Sequence, residues 1–392
     1  MEKTLENDYQ KPSWWNWEEP QRQGFSRELL RAAAAELGER FEQEKGGFAG
    51  LTEEQEICAA LFLLEYARRA EDGWARVMAE AVLDRRSRTD NPLLAYANLE
   101  SYAQTGRSIR LEVARGMLDG MTLRLPGGGF SEHGDGTVTT AWNAKAIAAL
   151  AKACRVLGDA SYLQTAVEAR LFVKTRLTQS NGRLWRRWRE RTPMEEGRLA
   201  DYGFYCWALA ELYETDFTVS CLREAEGLAD RMMDIFRDRE GGLYDFDGEA
   251  SGGRGAAGLA LSRLARLTGI PRYRTMAREQ LAWLAGTASE FPEGLALLGM
   301  TEELYPRKEL ICASAGAIPP WLAPVGEEYR LAVLAKTPEN SRGLENAVPG
   351  LRAYPTPESG LRLYLCRDGV CEAAAEDLEQ LYRQVFRKAV TV

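Results

Sequence analysis

Apolar positions recur along this chain with helical spacing, and from about Phe25 onward they group into pairs of helices. Stretches near 53–69, 91–105, 139–157, 200–215, 254–268 and 292–304 are apolar or small over most of their circumference, as in AIAALAKACRVL, which predicts helices buried on two sides. All but the last are followed by a partner, near 72–86, 108–122, 160–178, 218–236 and 271–286, whose charges leave a single apolar stripe, as in CLREAEGLADRMMDIF. Four partners carry an alanine in register, Ala114, Ala166, Ala225 and Ala277, at intervals of 52, 59 and 52 residues. One helical hairpin cannot bury its own apolar face, so a repeat of this length implies stacked or ring-closed hairpins. A helix near 26–43 is unpaired at the start, and the one near 292–304 is unpaired at the end. Pairing these two closes a ring of six hairpins. The predicted fold is therefore mainly α: an (α/α)6 barrel with an inner and an outer ring and its seam at the chain ends.

The corners that follow the outer helices read EKGGFAG, PGGGFSEHGDG, SNGRLWRRW and EGGLYDFDG. Glycine permits the tight reversals, and each corner leads into the start of the next inner helix. One rim of the barrel should thus gather glycine, aromatic and acidic residues around the axial opening. Beyond Tyr305 the pattern changes to short β-like runs, ELICAS, YRLAVLA and LRLYLCRDGVCEA, followed by a helix expected from about Ala373 to Lys388. The domain reading is an aromatic leader at 1–24 with Trp14, Trp15 and Trp17, the barrel at 25–304, and a small α/β unit at 305–392.

Composition narrows the function classes. With 45% hydrophobic and 28% charged residues among 392, this is an ordinary globular chain, and its net charge of -8 argues against a nucleic-acid partner. Arg183, Arg186, Arg187, Arg189 and Arg191 do cluster around Trp185 and Trp188; a solvated loop is the reading preferred over an anion site. The longest apolar run is too short for a bilayer, and no early segment has the layout of a secretion signal. Seven scattered cysteines without a CxxC suit a reducing cytoplasm. Cys366 and Cys371 flank an Asp-Gly hairpin turn and should face each other, read as a structural pair in preference to a redox switch.

Several stretches, in order, carry a family signal: NPLLAYANLESYAQTG, TAWNAKAIAALAKACRVLGD, LADYGFYCWALAELYE, EGGLYDFD, LALSRLARLTG and YLCRDGVCEAAAEDLEQL. From about Asn91 on, the chain resembles the YyaL-type proteins, which are described as thioredoxin domain-containing and related to spermatogenesis-associated proteins of animals. The resemblance implies a thioredoxin-like domain followed by a barrel similar to six-hairpin glycosidases and N-acylglucosamine epimerases. This chain reads as the barrel and C-terminal region alone, and ASGGRG stands where the family has a serine-glycine-asparagine corner. With no CxxC, thiol-disulfide oxidoreductase activity is not carried over.

Carbohydrate chemistry in an axial pocket is the activity implied. Epimerases of this barrel resemble one another in using two histidines, and this chain has one, His133. Glycoside hydrolysis requires two carboxylates, about 5 Å apart for retention and about 6.5–9.5 Å for inversion. Glu132, His133 and Asp135 in the SEHGDG corner, with Asp201 at the head of an inner helix, are the candidate catalytic groups; a polar turn and a helix cap are the competing readings. Trp142, Asn143, Tyr202, Asp245 and Trp185 are the candidate substrate-binding residues, with core packing as the alternative for the aromatics. No metal or cofactor is expected. The expected partner is a small molecule or oligosaccharide; the alternative is a catalytically degenerate barrel that binds a ligand or a protein.

Overall fold

The computed structural model describes residues 24–86, 91–121, 127–132, 135–237, 242–245, 252–286, 294–305, 308–367 and 370–386. The aromatic leader up to residue 23, His133, and the Asp-Gly turn at 368–369 lie outside the described residues. The inner ring comprises α2 (Glu53–Ala70), α4 (Pro92–Thr105), α6 (Thr140–Leu157), α8 (Leu199–Asp216), α10 (Gly253–Thr268) and α12 (Gly294–Leu304). The outer ring comprises α1 (Arg27–Arg40), α3 (Gly73–Arg85), α5 (Ser108–Gly120), α7 (Ala160–Arg176), α9 (Val219–Phe236) and α11 (Pro271–Gly286). Each inner helix packs on the next, α12 returns to α2, and α1 lies beside α12, so the ring closes at the chain ends.

The sequence pattern explains the two rings. Every residue of α8 from Leu199 to Tyr213 except Ala200 is buried, whereas α9 buries one stripe of Cys221, Leu222, Ala225, Leu228, Ala229, Met232 and Phe236. The four register alanines are all 0% exposed, at the seam where outer helix meets inner. Near their starts, α8 and α10 touch backbone to backbone. A Cβ on Gly203 would lie 2.8 Å from the Ala257 amide nitrogen, and one on Gly253 would lie 2.8 Å from that of Ala200, so only glycine fits either place.

A short ribbon of β1 (Phe41–Glu42) and β2 (Gly47–Phe48) follows α1. The arginine-rich corner differs from the solvated loop expected of it. Strands β4 (Trp185–Arg189) and β5 (Thr192–Glu196) form a hairpin, and β3 (Val138–Thr139) joins it in the order β3-β4-β5. Its turn, Glu190 and Arg191, holds φ at 51° and 66°, the left-handed conformation that hairpin turns require and that glycine or asparagine usually supplies.

At the C-terminus, β6 (Glu309–Ser314), β7 (Ala332–Lys336), β8 (Leu361–Arg367) and β9 (Val370–Ala375) form one sheet in the order β7-β6-β8-β9. Only the β6–β7 pair is parallel, and α13 (Leu322–Glu328) makes its crossover. α14 (Ser341–Ala347) follows β7, and α15 (Leu378–Phe386) packs on β9. The final helix therefore begins later than expected, because Ala373 to Ala375 continue the ladder with β8. α13 packs against α6 and α8, which seats this unit on the barrel.

Candidate active site at the axial mouth

Helical geometry identifies the side chains that face the barrel axis. Glu65, Glu100, Lys152, Glu211 and Arg263 each stand five residues before the end of their inner helix, and Glu302 stands near the end of α12. All six are buried. They form one connected network. Glu211 pairs with Arg155 and Arg263, and its Oε1 also accepts from the Tyr96 hydroxyl at 2.7 Å and from Trp207 Nε1 at 2.9 Å. Arg263 continues to Glu302 at 2.7 Å, and Lys152 to Glu100 at 2.8 Å. Two residues of the C-terminal unit complete the set: Glu327 binds Lys152 and Arg155, and Arg330 binds Glu100 and, at 2.8 Å, Glu65. Burial alone would raise the Glu211 carboxyl, but Arg155, Arg263 and Lys152 outweigh it and bring the group down to about 2. Glu327 is likewise held well below the usual carboxylate range against its own burial, by Lys152 and Arg155. This is the base of the barrel, at the C-terminal ends of the inner helices, and α13 closes it.

Above the base, Tyr96 and Trp207 meet edge-on at 4.9 Å and, with Phe204, fill the axis. Residues seven apart on a helix share a face, as do residues eleven apart. Lys145 is seven residues before Lys152, Phe204 seven before Glu211, and Glu54 eleven before Glu65. These three therefore point along the axis at the opposite, N-terminal mouth. There Lys145 pairs with Glu54 from α2, and its ammonium sits 4.4 Å from the centre of the Phe204 ring. Glu54 is 42% exposed at its side chain, so this ion pair opens to solvent. Neither Glu54 nor Lys145 was among the residues singled out from sequence. The signal that finds them is their phase with the buried charges lower on the same helices.

The described residues among those expected at the site lie at the starts of inner helices and the corners before them, and engage this end in different ways; His133 lies outside the described residues. Asp201 is 3% exposed, and its carboxylate accepts from the amides of Arg198 at 2.8 Å and Ala141 at 2.9 Å, joining the starts of α8 and α6. Burial pushes this carboxyl up to about 7, against the pull of those two amides and of Arg186 and with a further push from Asp245. Asp245, half-buried, accepts from the Leu199 amide at 3.2 Å. Asn143 is fully buried and exchanges hydrogen bonds with both backbone groups of Phe130, anchoring the preceding corner. Tyr202 turns toward the outer ring: its hydroxyl accepts from the Leu184 amide at 2.8 Å, and its ring meets Phe236 at 5.3 Å.

Trp142 is half-buried beside Phe130, and Trp185, also half-buried, accepts at its carbonyl from the Thr140 hydroxyl at 2.7 Å. Glu132 is exposed, with an Oε2 3.3 Å from the Thr139 hydroxyl. Asp135 is exposed and closes a turn by accepting from the Thr137 amide and hydroxyl, both at 2.9 Å, which lowers its carboxyl below the usual value. Among the described residues no cluster of histidine, cysteine and carboxylate groups could hold a metal ion, and no helix is long and apolar enough to cross a membrane.

Neither a scan against family profiles nor a search of curated proteins finds a match to this chain. Solved structures do match. The Lin0763 protein of Listeria innocua is 16% identical, with a TM-score of 0.61 over 71% of this chain and 97% of that one. An inactive double-aspartate variant of the α-1,6-mannanase GH76A of Salegentibacter sp. HEL1_6, in complex with α-1,6-mannotetrose, is 15% identical, with a TM-score of 0.60 over 71% of this chain and 98% of that one. The unsaturated glucuronyl hydrolase of Streptococcus agalactiae is 11% identical, with a TM-score of 0.57 over 72% and 93%. The fold is the (α/α)6 barrel of the six-hairpin glycosidases. At these identities the likeness establishes the six-hairpin glycosidase fold and leaves the chemistry to the residues of this chain.

Proposed function

We propose that this six-hairpin barrel binds a carbohydrate at its N-terminal mouth. The observation that carries the reading is the solvent-open Glu54–Lys145 pair above Phe204, on an axis packed shut below it. A carboxylate and an ammonium side by side offer an acceptor and donors to adjacent sugar hydroxyls, and Trp142 in the first turn of α6, with Trp185 on β4 tied to the start of that helix through Thr140, supply half-buried aromatic surface. The stretches that resemble the YyaL-type proteins support the same reading, since that resemblance also implies a sugar-handling barrel. The test is a screen of mono- and oligosaccharides by thermal shift and calorimetry, because a ligand selective for the folded state raises apparent stability. A hit lost on Lys145→Ala and Trp142→Ala supports the proposal; a hit that survives both removes it.

A second reading, glycoside hydrolysis, is favoured by one observation. Burial pushes Asp201 up to about 7, the property a proton-donating acid needs at neutral pH. In that reading Glu132 from the neighbouring corner supplies the second carboxylate. Asp201→Asn and Glu132→Gln should each cut turnover by orders of magnitude without unfolding the protein. Turnover unchanged in both would leave binding as the function.

A further inference from the structure

One chemical group plays no part in the barrel. In the C-terminal sheet, Cys366 on β8 and Cys371 on β9 stand directly opposite each other. Directly opposed residues of an antiparallel pair have Cα atoms about 4.5–5.5 Å apart, within the range a disulfide bridges without backbone movement. Their sulfurs are 2.6 Å apart. Cys366 is fully buried and Cys371 is exposed, so one sulfur meets solvent and the other waits behind it. The remaining cysteines, Cys58, Cys154, Cys206, Cys221 and Cys312, belong to other elements, and all but Cys154 are buried.

A third group is built onto the pair. The Tyr354 hydroxyl lies 3.2 Å from the Cys371 sulfur and 3.8 Å from that of Cys366. Its position is fixed from two sides. The buried ammonium of Lys336 donates to the carbonyls of Leu351 at 3.0 Å and Tyr354 at 2.8 Å, holding the turn at 349–353, and the Tyr364 ring meets that of Tyr354 at 4.9 Å. A phenol held over two thiols can donate a hydrogen bond to whichever sulfur is ionised.

We propose that Cys366 and Cys371 are a reversible thiol-disulfide site, assisted by Tyr354 and open to low-molecular-weight disulfides. Cys371 loses its proton and attacks one sulfur of the small disulfide; the reagent's S–S bond breaks and a first small thiol leaves. Cys366 then loses its proton and attacks the Cys371 sulfur of the mixed disulfide, and a second small thiol leaves. Two cysteine thiols are oxidised to one cross-strand disulfide, while the reagent, taking two electrons and two protons, is reduced to two thiols. The order follows from access, and it is reinforced because burial pushes the Cys366 thiol up to about 12, which suits the sulfur that resolves and not the one that attacks first.

The test treats the full chain with glutathione buffers from fully reduced to fully oxidised, alkylates the remaining thiols after denaturation, and maps the products by mass spectrometry. The site predicts that Cys366 and Cys371 lose alkylation together, in one peptide pair lighter by two hydrogens, and recover with dithiothreitol. Cys58, Cys206, Cys221 and Cys312 stay alkylatable throughout. Cys366→Ser should stop at glutathione held on Cys371, and Tyr354→Phe should slow oxidation several-fold at unchanged circular dichroism. Both thiols still free in oxidised glutathione, glutathione retained on Cys371 of the unmodified chain, or a disulfide between two chains would each overturn the proposal. If Cys366→Ser does not fold, the mass change in the unmodified chain decides alone.

Discussion

The two ends of the barrel axis are built from the same kinds of residue and leave them in opposite surroundings. At the base, Glu65, Glu100, Lys152, Glu211, Arg263 and Glu302 are buried, and Glu327 and Arg330, half-buried, pair with them, so the charges are satisfied by one another. At the mouth, Glu54 and Lys145 stand on the same helical faces, and the pair meets water through the Glu54 side chain, which is 42% exposed. A closed ionic network fixes which elements sit together, whereas an open pair above an aromatic floor leaves hydrogen-bonding capacity for something else. The charge alone does not distinguish structure from site. What distinguishes them is whether the C-terminal unit covers the end in question.

Removing one partner from the base should give the largest effect. Arg330→Ala removes one cation from two buried carboxylates, leaving Glu65 with Arg68 and Arg69 and Glu100 with Lys152, so the loss should fall toward the lower end of the about 3–5 kcal/mol that breaking a buried pair costs. Urea unfolding should show that loss. A change below about 1 kcal/mol would mean that the α/β unit rests on the barrel without being wedged into it.

The two ends should also titrate in opposite senses, with effects on the order of a few kcal/mol. Glu211 has its folded-state value lowered to about 2, so its contribution is present above the unfolded value and is lost as pH falls from about 4 through 2. Asp201 has its folded-state value raised to about 7, so the folded state binds the extra proton and stability declines as pH rises from about 4 to 7. Stability curves for the unmodified chain and Asp201→Asn should converge at low pH and separate toward neutrality, the variant being flatter. Parallel curves would show that the two backbone amides keep Asp201 ionised throughout.

The smallest expected effect on stability belongs to the mouth. Glu54→Gln should change unfolding free energy by less than about 1 kcal/mol, as for other solvent-screened pairs, while weakening any bound sugar. A loss as large as that of Arg330→Ala would place the pair with the scaffold and end the contrast between the two ends.

Much of the barrel was legible because helices that must bury themselves on two sides advertise it in the sequence. AIAALAKACRVL and WALAELYETDF read as inner helices, and counting unpaired helices was enough to close the ring that α1 and α12 complete. The base was not read, since Lys152 and Glu211 look like interruptions of an apolar helix until their common depth is noticed. Glu327 and Arg330 come from GEEYR, which on its own resembles a polar surface turn. The 185–196 hairpin was missed because Glu190 and Arg191 occupy turn positions that usually announce themselves with glycine or asparagine. At the mouth, Asn143 and Tyr202 were visible as residue types, but the direction each faces is set by Phe130 and Leu184, far away in sequence.

The most direct measurement is hydrogen–deuterium exchange of the full chain with and without an oligosaccharide hit from the screen. The account predicts added protection at 52–58, 139–146 and 199–205, where the mouth is built, and none at 322–331, where the base is already closed. Protection centred on 322–331, with the mouth unchanged, would contradict it.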